Sequence, residues 1–182
     1  MLSLVLLSGG IDSTTALAST LSRTDQSEAL FVRFGQPAEA EEARAARAVS
    51  SHYAVRIREV VLSGQSFNVG EILGRNAFLI HLALMVCSAS PATIVIGAHA
   101  GTNYRDCTPE FIGLMRRSLE FHTEGIVGLS APFINWSKSE IFAHAHELDV
   151  PINLTYSCER GDTPCGSCLS CLDREKLLAG AK

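Results

Sequence analysis

Two groups of residues have the types and spacing to do chemistry. The first is Ser8-Gly9-Gly10-Ile11-Asp12-Ser13, which follows an apolar run and precedes a stretch of helical periodicity. Its glycines allow a tight turn and let backbone N–H groups come close to an anion, a following helix N-terminus adds a favourable dipole, and Ser8 and Ser13 bring hydroxyls. Such a turn would cradle phosphate. It is neither the dinucleotide fingerprint GxGxxG nor the P-loop GxxxxGK[ST], and an ordinary strand-to-helix turn is the other reading of the same residues. Asp12 sharpens the choice. A carboxylate beside a phosphate cradle repels the anion unless it holds Mg2+ or orients the N–H groups of the turn, so the ligand indicated is Mg-ATP.

The second group is Cys158, Cys165, Cys168 and Cys171. Four thiolates in a compact loop can close a tetrahedral shell around Zn2+, and Gly161, Pro164 and Gly166 supply the turns that fold the backbone around it. A closed shell leaves no open coordination position, which makes the role structural rather than catalytic. Iron–sulfur ligation and four unrelated free thiols are the alternatives. The remaining cysteines, Cys87 and Cys107, stand far apart, and clustering at two-residue gaps without a secretory signal favours a metal over a disulfide framework.

The elements that must position these residues read as alternating strands and helices. A buried strand from Leu2 to Leu7 enters the glycine turn, and Ser13 to Leu21 follows as a helix. A second strand fits Ala29 to Phe34, after which Pro37 opens an Ala-rich helix through Glu39, Glu41, Glu42, Arg44 and Arg47. Val55, Ile57 and Val60 alternate with Arg56 and Arg58 in a third strand between Tyr53 and Leu62, near a sheet margin. Arg75 to Cys87 is a largely buried helix and Thr93 to Gly97 a strand. Thr108 caps a helix to His122 with Pro109 in its first position, and Ser137 with Glu140 forms a capping box for a helix to Leu148. Recurring βα units predict an α/β fold, a doubly wound, mostly parallel, Rossmann-like sheet covered on both faces.

At 182 residues the chain is expected to be a single domain over residues 1–182, with a zinc-binding segment at 156–175 inside it. Hydrophobic residues at 47% and charged residues at 19% describe a folded chain rather than a disordered one, and a net charge of -4 argues against gripping a nucleic-acid backbone by broad electrostatics. The apolar runs at Leu2–Leu7 and Ala77–Val86 are too short to span a membrane, and the expected location is cytoplasmic.

Taken together, Leu6-Leu7-Ser8-Gly9-Gly10-Ile11-Asp12-Ser13, Phe34-Gly35-Gln36, Gly74-Arg75-Asn76, Ile96-Gly97, Asp106-Cys107-x-Pro109-Glu110-Phe111, Lys138-Ser139-Glu140-Ile141 and the cysteine module resemble the PP-loop ATP pyrophosphatases and, within them, the 7-cyano-7-deazaguanine synthases. The resemblance implies an enzyme, an ATP-dependent C–N ligase that converts 7-carboxy-7-deazaguanine to the nitrile with ammonia. It implies that Ser8, Gly9, Gly10, Asp12 and Ser13 hold the ATP phosphates and that Arg75 and Asn76 sit in the reaction cleft. It further implies that Lys138 binds phosphate or stabilises the adenylate, that Asp106, Glu110 and Phe111 shape the acceptor pocket, and that Cys158, Cys165, Cys168 and Cys171 bind Zn2+. A homodimer is implied as well, without a pairing surface.

Two stretches depart from the family pattern. The family's Tyr-Gly-Gln with its basic, histidine-containing sequel is here Phe34-Gly35-Gln36-Pro37-Ala38, and the region from Leu62 to Arg75 is short for the insert that covers substrate in those enzymes. A trimmed cover would leave room for a larger carboxylate, including a protein terminus, or would rely on a partner to close the cleft. A nonenzymatic nucleotide-binding protein is the reading of a different class.

Overall fold

The computed structural model describes residues 1–24, 26–68, 72–87, 90–102 and 104–180. Its five strands are β1 (Leu2–Leu6), β2 (Ser27–Arg33), β3 (Arg56–Val61), β4 (Ala92–Val95) and β5 (Val127–Ser130). They form one sheet in the order β3-β2-β1-β4-β5, and every pairing is parallel. The helices are α1 (Ile11–Leu21), α2 (Glu39–His52), α3 (Arg75–Cys87), α4 (Pro109–Thr123), α5 (Lys138–Glu147) and α6 (Leu169–Gly180).

The central strand shows why the opening run is apolar at every position. Leu4 and Leu6 point to one face and meet Ile80 of α3 and Ile112 and Leu119 of α4. Val5 and Leu7 point to the other and meet Leu17 of α1, Ala46 and Val49 of α2 and Ile141 of α5. Both faces are covered, so alternation with polar residues is absent. β3 mixes apolar with charged residues and lies at a sheet edge, where Arg58 pairs with Glu28 at 2.5 Å and Arg47 with Glu59 at 2.6 Å.

Several boundaries differ from the sequence reading. Helix α1 begins at Ile11, inside the glycine turn, because Gly10 serves as its N-cap. Helix α2 begins at Glu39, with Ala38 rather than Pro37 at its cap. Strand β4 ends at Val95, which leaves Ile96 and Gly97 to the loop. The helix from Pro109 carries the expected cap, Phe111 N–H donating to Thr108 Oγ1 at 3.2 Å, and Ser137 and Glu140 form the expected capping box. Strand β5 and helix α6 have no counterpart in the sequence reading. Four residues with a central glycine give β5 little pattern, and the cysteines that open α6 read as a metal loop.

Sheet order and chain order part company at β1 and β4. The chain winds outward from β1 through β2 to β3, then returns to lay β4 on the other side of β1. The loops leaving β1 and β4 therefore splay to opposite faces, and a crevice opens between them at the carboxyl ends of the strands.

Candidate active site

That crevice is a cleft of about 590 Å3 lined by the glycine turn, by the exits of β2 and β4, by the start of α3, by Lys138 and by the segment after Val150. Helix α1 ends at the cleft without a side-chain cap, and Gly10, Ile11, Asp12 and Ser13 of its first turn line the wall. Its exposed N–H groups and dipole make that wall attractive to an anion. The hydroxyls brace the turn: Gly10 N–H donates to Ser8 Oγ at 3.3 Å, Ser13 Oγ donates to Gly10 O at 3.1 Å, and the two serine oxygens lie 3.0 Å apart.

Two glycines are needed for close approach. Gly9 has φ +80, and a Cβ there would lie 2.8 Å from Ala45 Cβ, Ala46 N and Glu42 O of α2. Gly97, leaving β4, would place a Cβ 3.0 Å from the backbone of Asp12. The glycine turn is thus clamped between α2 and the β4 exit, and its N–H groups are held in place before any ligand arrives.

Asp12 does not stand alone beside the cradle. Lys138 Nζ, 126 residues later in the chain, donates to both of its oxygens at 2.7 and 2.5 Å, and His99 Nε2 lies 3.6 Å away. Burial pushes the Asp12 carboxyl up, but His99 and Lys138 outweigh it and hold the group below the usual carboxylate range. His99 is buried and its Nδ1 accepts from Gly101 N–H at 3.1 Å, which puts the ring proton on Nε2, facing Asp12.

Across the cleft, Arg75 and Asn76 open α3. Asn76 is buried; its Nδ2 donates to Asp106 O at 3.0 Å and to Cys107 Sγ at 3.6 Å, while its backbone N–H donates to the Asp106 carboxylate at 3.2 Å. Asp106 therefore caps the start of α3 from another element and fixes Asn76, whereas Arg75 and Asn76 themselves line the cleft with Cys107. Burial pushes the Cys107 thiol up, which leaves it protonated and unreactive. Glu110 is exposed on the first turn of α4 and Phe111 packs against the core; neither lines the cleft.

The four cysteines of the C-terminal segment bring their sulfur atoms within 4.8 Å of one another. None forms a disulfide. Cys165 Sγ accepts hydrogen bonds from Cys168 N–H at 3.3 Å and from Ser167 Oγ at 3.6 Å, and contacts of this kind, led by the Ser167 backbone, lower its thiol to about 5. Four sulfurs so placed fit a tetrahedral metal shell, whose sulfur–sulfur edge at Zn–S of about 2.3 Å is roughly 3.8 Å. The helix α6 that follows returns to the cleft, and Tyr156 N–H donates to Gly9 O at 2.9 Å, tying this segment to the glycine turn.

With this geometry in view, a family model described as "Queuosine biosynthesis protein QueC" matches residues 2–71 and 61–182. The chain belongs to the QueC family. It is 33% identical to the 7-cyano-7-deazaguanine synthase of Parasynechococcus marenigrum (strain WH8102), over 98% of this chain and 93% of that protein. It is likewise 33% identical to the synthase of the same name from Methanoculleus marisnigri, over 95% and 91%. Among solved structures, NMN synthetase from Francisella tularensis superposes with a TM-score of 0.61 at 19% identity, over 86% of this chain and 65% of that one. The U34-tRNA thiolase NcsA from Methanococcus maripaludis, solved with its [4Fe-4S] cluster, gives 0.56 at 17% identity, over 96% and 63%. These two structures share the fold. The relatives make this chain a ligase-type enzyme of the PP-loop group.

Membership of the QueC family also locates the missing length. The alignment to the first synthase runs over 211 positions against a chain of 182, so at least 29 of them (211 less 182) have no counterpart here. The two family-model matches overlap at residues 61–71, which nearly all fall in the short Leu62-to-Arg75 stretch. Residues 69–71 of that stretch lie outside the described residues.

Three cleft residues escaped the sequence reading of this QueC-family chain. Glu42 was one acid in a run of helix-surface charges, yet it turns into the cleft and accepts from Gln36 Nε2 at 3.0 Å. Burial pushes its carboxyl up to about 7, against the lowering effects of Gln36 and Arg75. No spacing rule connects Tyr156 and Arg174 to the glycine turn. Among the described residues no helix is long and apolar enough to cross a membrane.

Proposed function

We propose that the chain activates the carboxylate of 7-carboxy-7-deazaguanine with ATP and passes it to ammonia, giving the nitrile. The observation that supports this most is the meeting, in one cleft of a QueC-family chain, of an uncapped helix N-terminus, Lys138 and Arg75. A carboxylate oxygen attacks the α-phosphorus of ATP and pyrophosphate departs, so that AMP replaces a poor leaving group. Ammonia then adds to the acyl carbon and AMP leaves, producing the amide; a second ATP activates the amide oxygen with release of pyrophosphate, and loss of AMP and of both amide protons yields the nitrile.

In this reading Ser8, Gly9, Gly10, Asp12 and Ser13 form the pyrophosphate site, Mg2+ enters with the nucleotide, and Lys138 offsets charge on the phosphoryl oxygens while Asp12 keeps it aimed. Arg75 faces the acceptor carboxylate and Asn76 orients it, with Asp106 holding Asn76. Glu42, with a carboxyl titrating near neutrality, takes a proton from ammonium and so releases the ammonia that attacks. Cys158, Cys165, Cys168 and Cys171 hold Zn2+, which stabilises the segment that walls the cleft. Glu110 and Phe111 support the acceptor side from outside the cleft. The homodimer would bury Met85 of α3 and Leu114 and Phe121 of α4, which are exposed in the single chain.

The shortfall of at least 29 positions relative to a synthase of the family favours a second reading, in which the same activation serves a larger carboxylate, such as a protein terminus, or a partner closes the cleft. Incubation with Mg-ATP, ammonia and 7-carboxy-7-deazaguanine, followed by mass spectrometry and a pyrophosphate assay, separates the two. Nitrile with pyrophosphate supports the first; pyrophosphate only on addition of another carboxylate or a protein supports the second; no pyrophosphate under any condition refutes both.

A further inference from the structure

The cysteine segment does more than close on itself. Tyr156, Ser157, Ser170 and Arg174 from this part of the chain line the cleft. Arg174 lies one helical turn after Cys171 on α6. Its Nη1 donates to Thr155 Oγ1 at 2.6 Å and to Ser157 Oγ at 3.4 Å, and its Nη2 donates to Ile152 O at 2.9 Å.

All three acceptors are neutral. Among the described residues no carboxylate lies within ion-pair distance of Arg174, whereas the part-buried cations Arg33, Arg58 and Lys138 pair with Glu39, Glu28 and Asp12. The Cys171 sulfur one turn away contributes some negative charge, but with no carboxylate partner the part-buried guanidinium keeps positive charge to offer an anion in the cleft. Three of its five N–H donors are spoken for by these contacts, and the remainder are available to such a ligand.

The residues it grips run beside the glycine turn. Tyr156 N–H donates to Gly9 O, and Tyr156 O lies 3.6 Å from where a Cβ on Gly10 would stand. The uncapped end of α1, Lys138 and Arg174 thus line one cleft.

We infer that Arg174 is an anion-binding residue of the cleft, placed there by the four-sulfur module through the shared turn of α6. The inference rests on the proposal that this cleft takes ATP and a carboxylate, and its ligand is an oxyanion of one or the other. Loss of a charge-assisted contact of this kind predicts a weakening of about 10- to 100-fold.

The test is calorimetric titration of the full chain, and of its Arg174→Gln and Arg174→Lys variants, with inorganic pyrophosphate, Mg-ATP and 7-carboxy-7-deazaguanine in turn, alongside bound metal and thermal unfolding. Expected for Arg174→Gln is a 10- to 100-fold loss at wild-type metal content, with a smaller loss for Arg174→Lys. A loss confined to pyrophosphate and Mg-ATP assigns Arg174 to the phosphates; a loss confined to the deazaguanine acid assigns it to the acceptor. Affinities within twofold of wild type for all three probes would overturn the inference. So would equal losses in both variants accompanied by lost metal, which would mark a folding defect. Wild-type protein that binds none of the probes would instead refute the functional reading on which the inference rests.

Discussion

Replacing Glu42 with Gln should make this protein more stable, and only above the acid range. The glutamate is half-buried in the cleft wall, and its carboxyl is raised from 4.5 to about 7, first by burial and then by Glu39 and Glu159, against Gln36 and Arg75. A native-state value above the unfolded one means that the folded protein holds the proton more tightly. The stability from that proton is complete below pH 4.5 and is lost as pH rises to about 7. At roughly 1.4 kcal/mol per tenfold change in the proton constant, wild type above pH 8 has given up about 3 kcal/mol at this one site. Glutamine is neutral throughout, and its carbonyl oxygen can still accept from Gln36 Nε2. Urea unfolding at a series of pH values should therefore show the Glu42→Gln variant equal to wild type near pH 4 and about 2–3 kcal/mol more stable at pH 8, a rise in Tm of roughly 5–10 °C for a chain of this size. The gain should be accompanied by a slower ammonia-dependent step, since the amide cannot take the proton whose removal turns ammonium into the attacking ammonia. A difference independent of pH, or a variant less stable than wild type at pH 8, would refute the reasoning that desolvation of the Glu42 charge dominates at this site.

Three further substitutions probe the cradle and the module. Asp12→Ala leaves Lys138 without its counter-ion and the fold largely intact; pyrophosphate release with Mg-ATP should fall by about 100-fold or more while circular dichroism is unchanged, and retained turnover would remove Asp12 from the site. Cys165→Ser should lower bound metal, measured by elemental analysis, and lower Tm with it, whereas a full metal complement in the variant would exclude Cys165 from the shell. Gly9→Ala combines a φ of +80 with Cβ contacts of 2.8 Å to α2, so chemical denaturation should show a loss of about 2–4 kcal/mol, and a loss below 1 kcal/mol would show that α2 yields easily.

How far the sequence disclosed the site depends on whether chemistry and local pattern coincide. The strand into Ser8, the helix after the glycine turn and the capped helices at Thr108 and Ser137 were legible because each carries its own punctuation: glycines, a cap, an apolar stripe. The four cysteines were legible because soft ligands at short gaps have few other uses. Lys138 on Asp12 joins residues 126 positions apart, and only the order of motifs in a resembled family pointed to it. Glu42 and Arg174 were not legible. In a run containing Glu39, Glu41 and Glu42, helical phase decides which carboxylate faces inward, and a shift of one residue in the helix start changes the answer. Glu110 and Phe111 show the converse, motif residues that the first turn of α4 carries to solvent and to the core.

The hydrogen bond from Tyr156 N–H to Gly9 O has a consequence for how the protein is made. All five strands have been synthesised once Ser130 has been added. One wall of the cleft, from Tyr156 to Arg174, is still to be synthesised. At about 5–20 residues per second the interval from Ser130 to Arg174 lasts roughly 2–9 s. Where the four sulfurs take a metal, its binding would set when the last segment locks. Metal-starved cells should then accumulate a chain whose sheet is folded and whose cleft is unfinished, a species that limited proteolysis after Val150 would reveal.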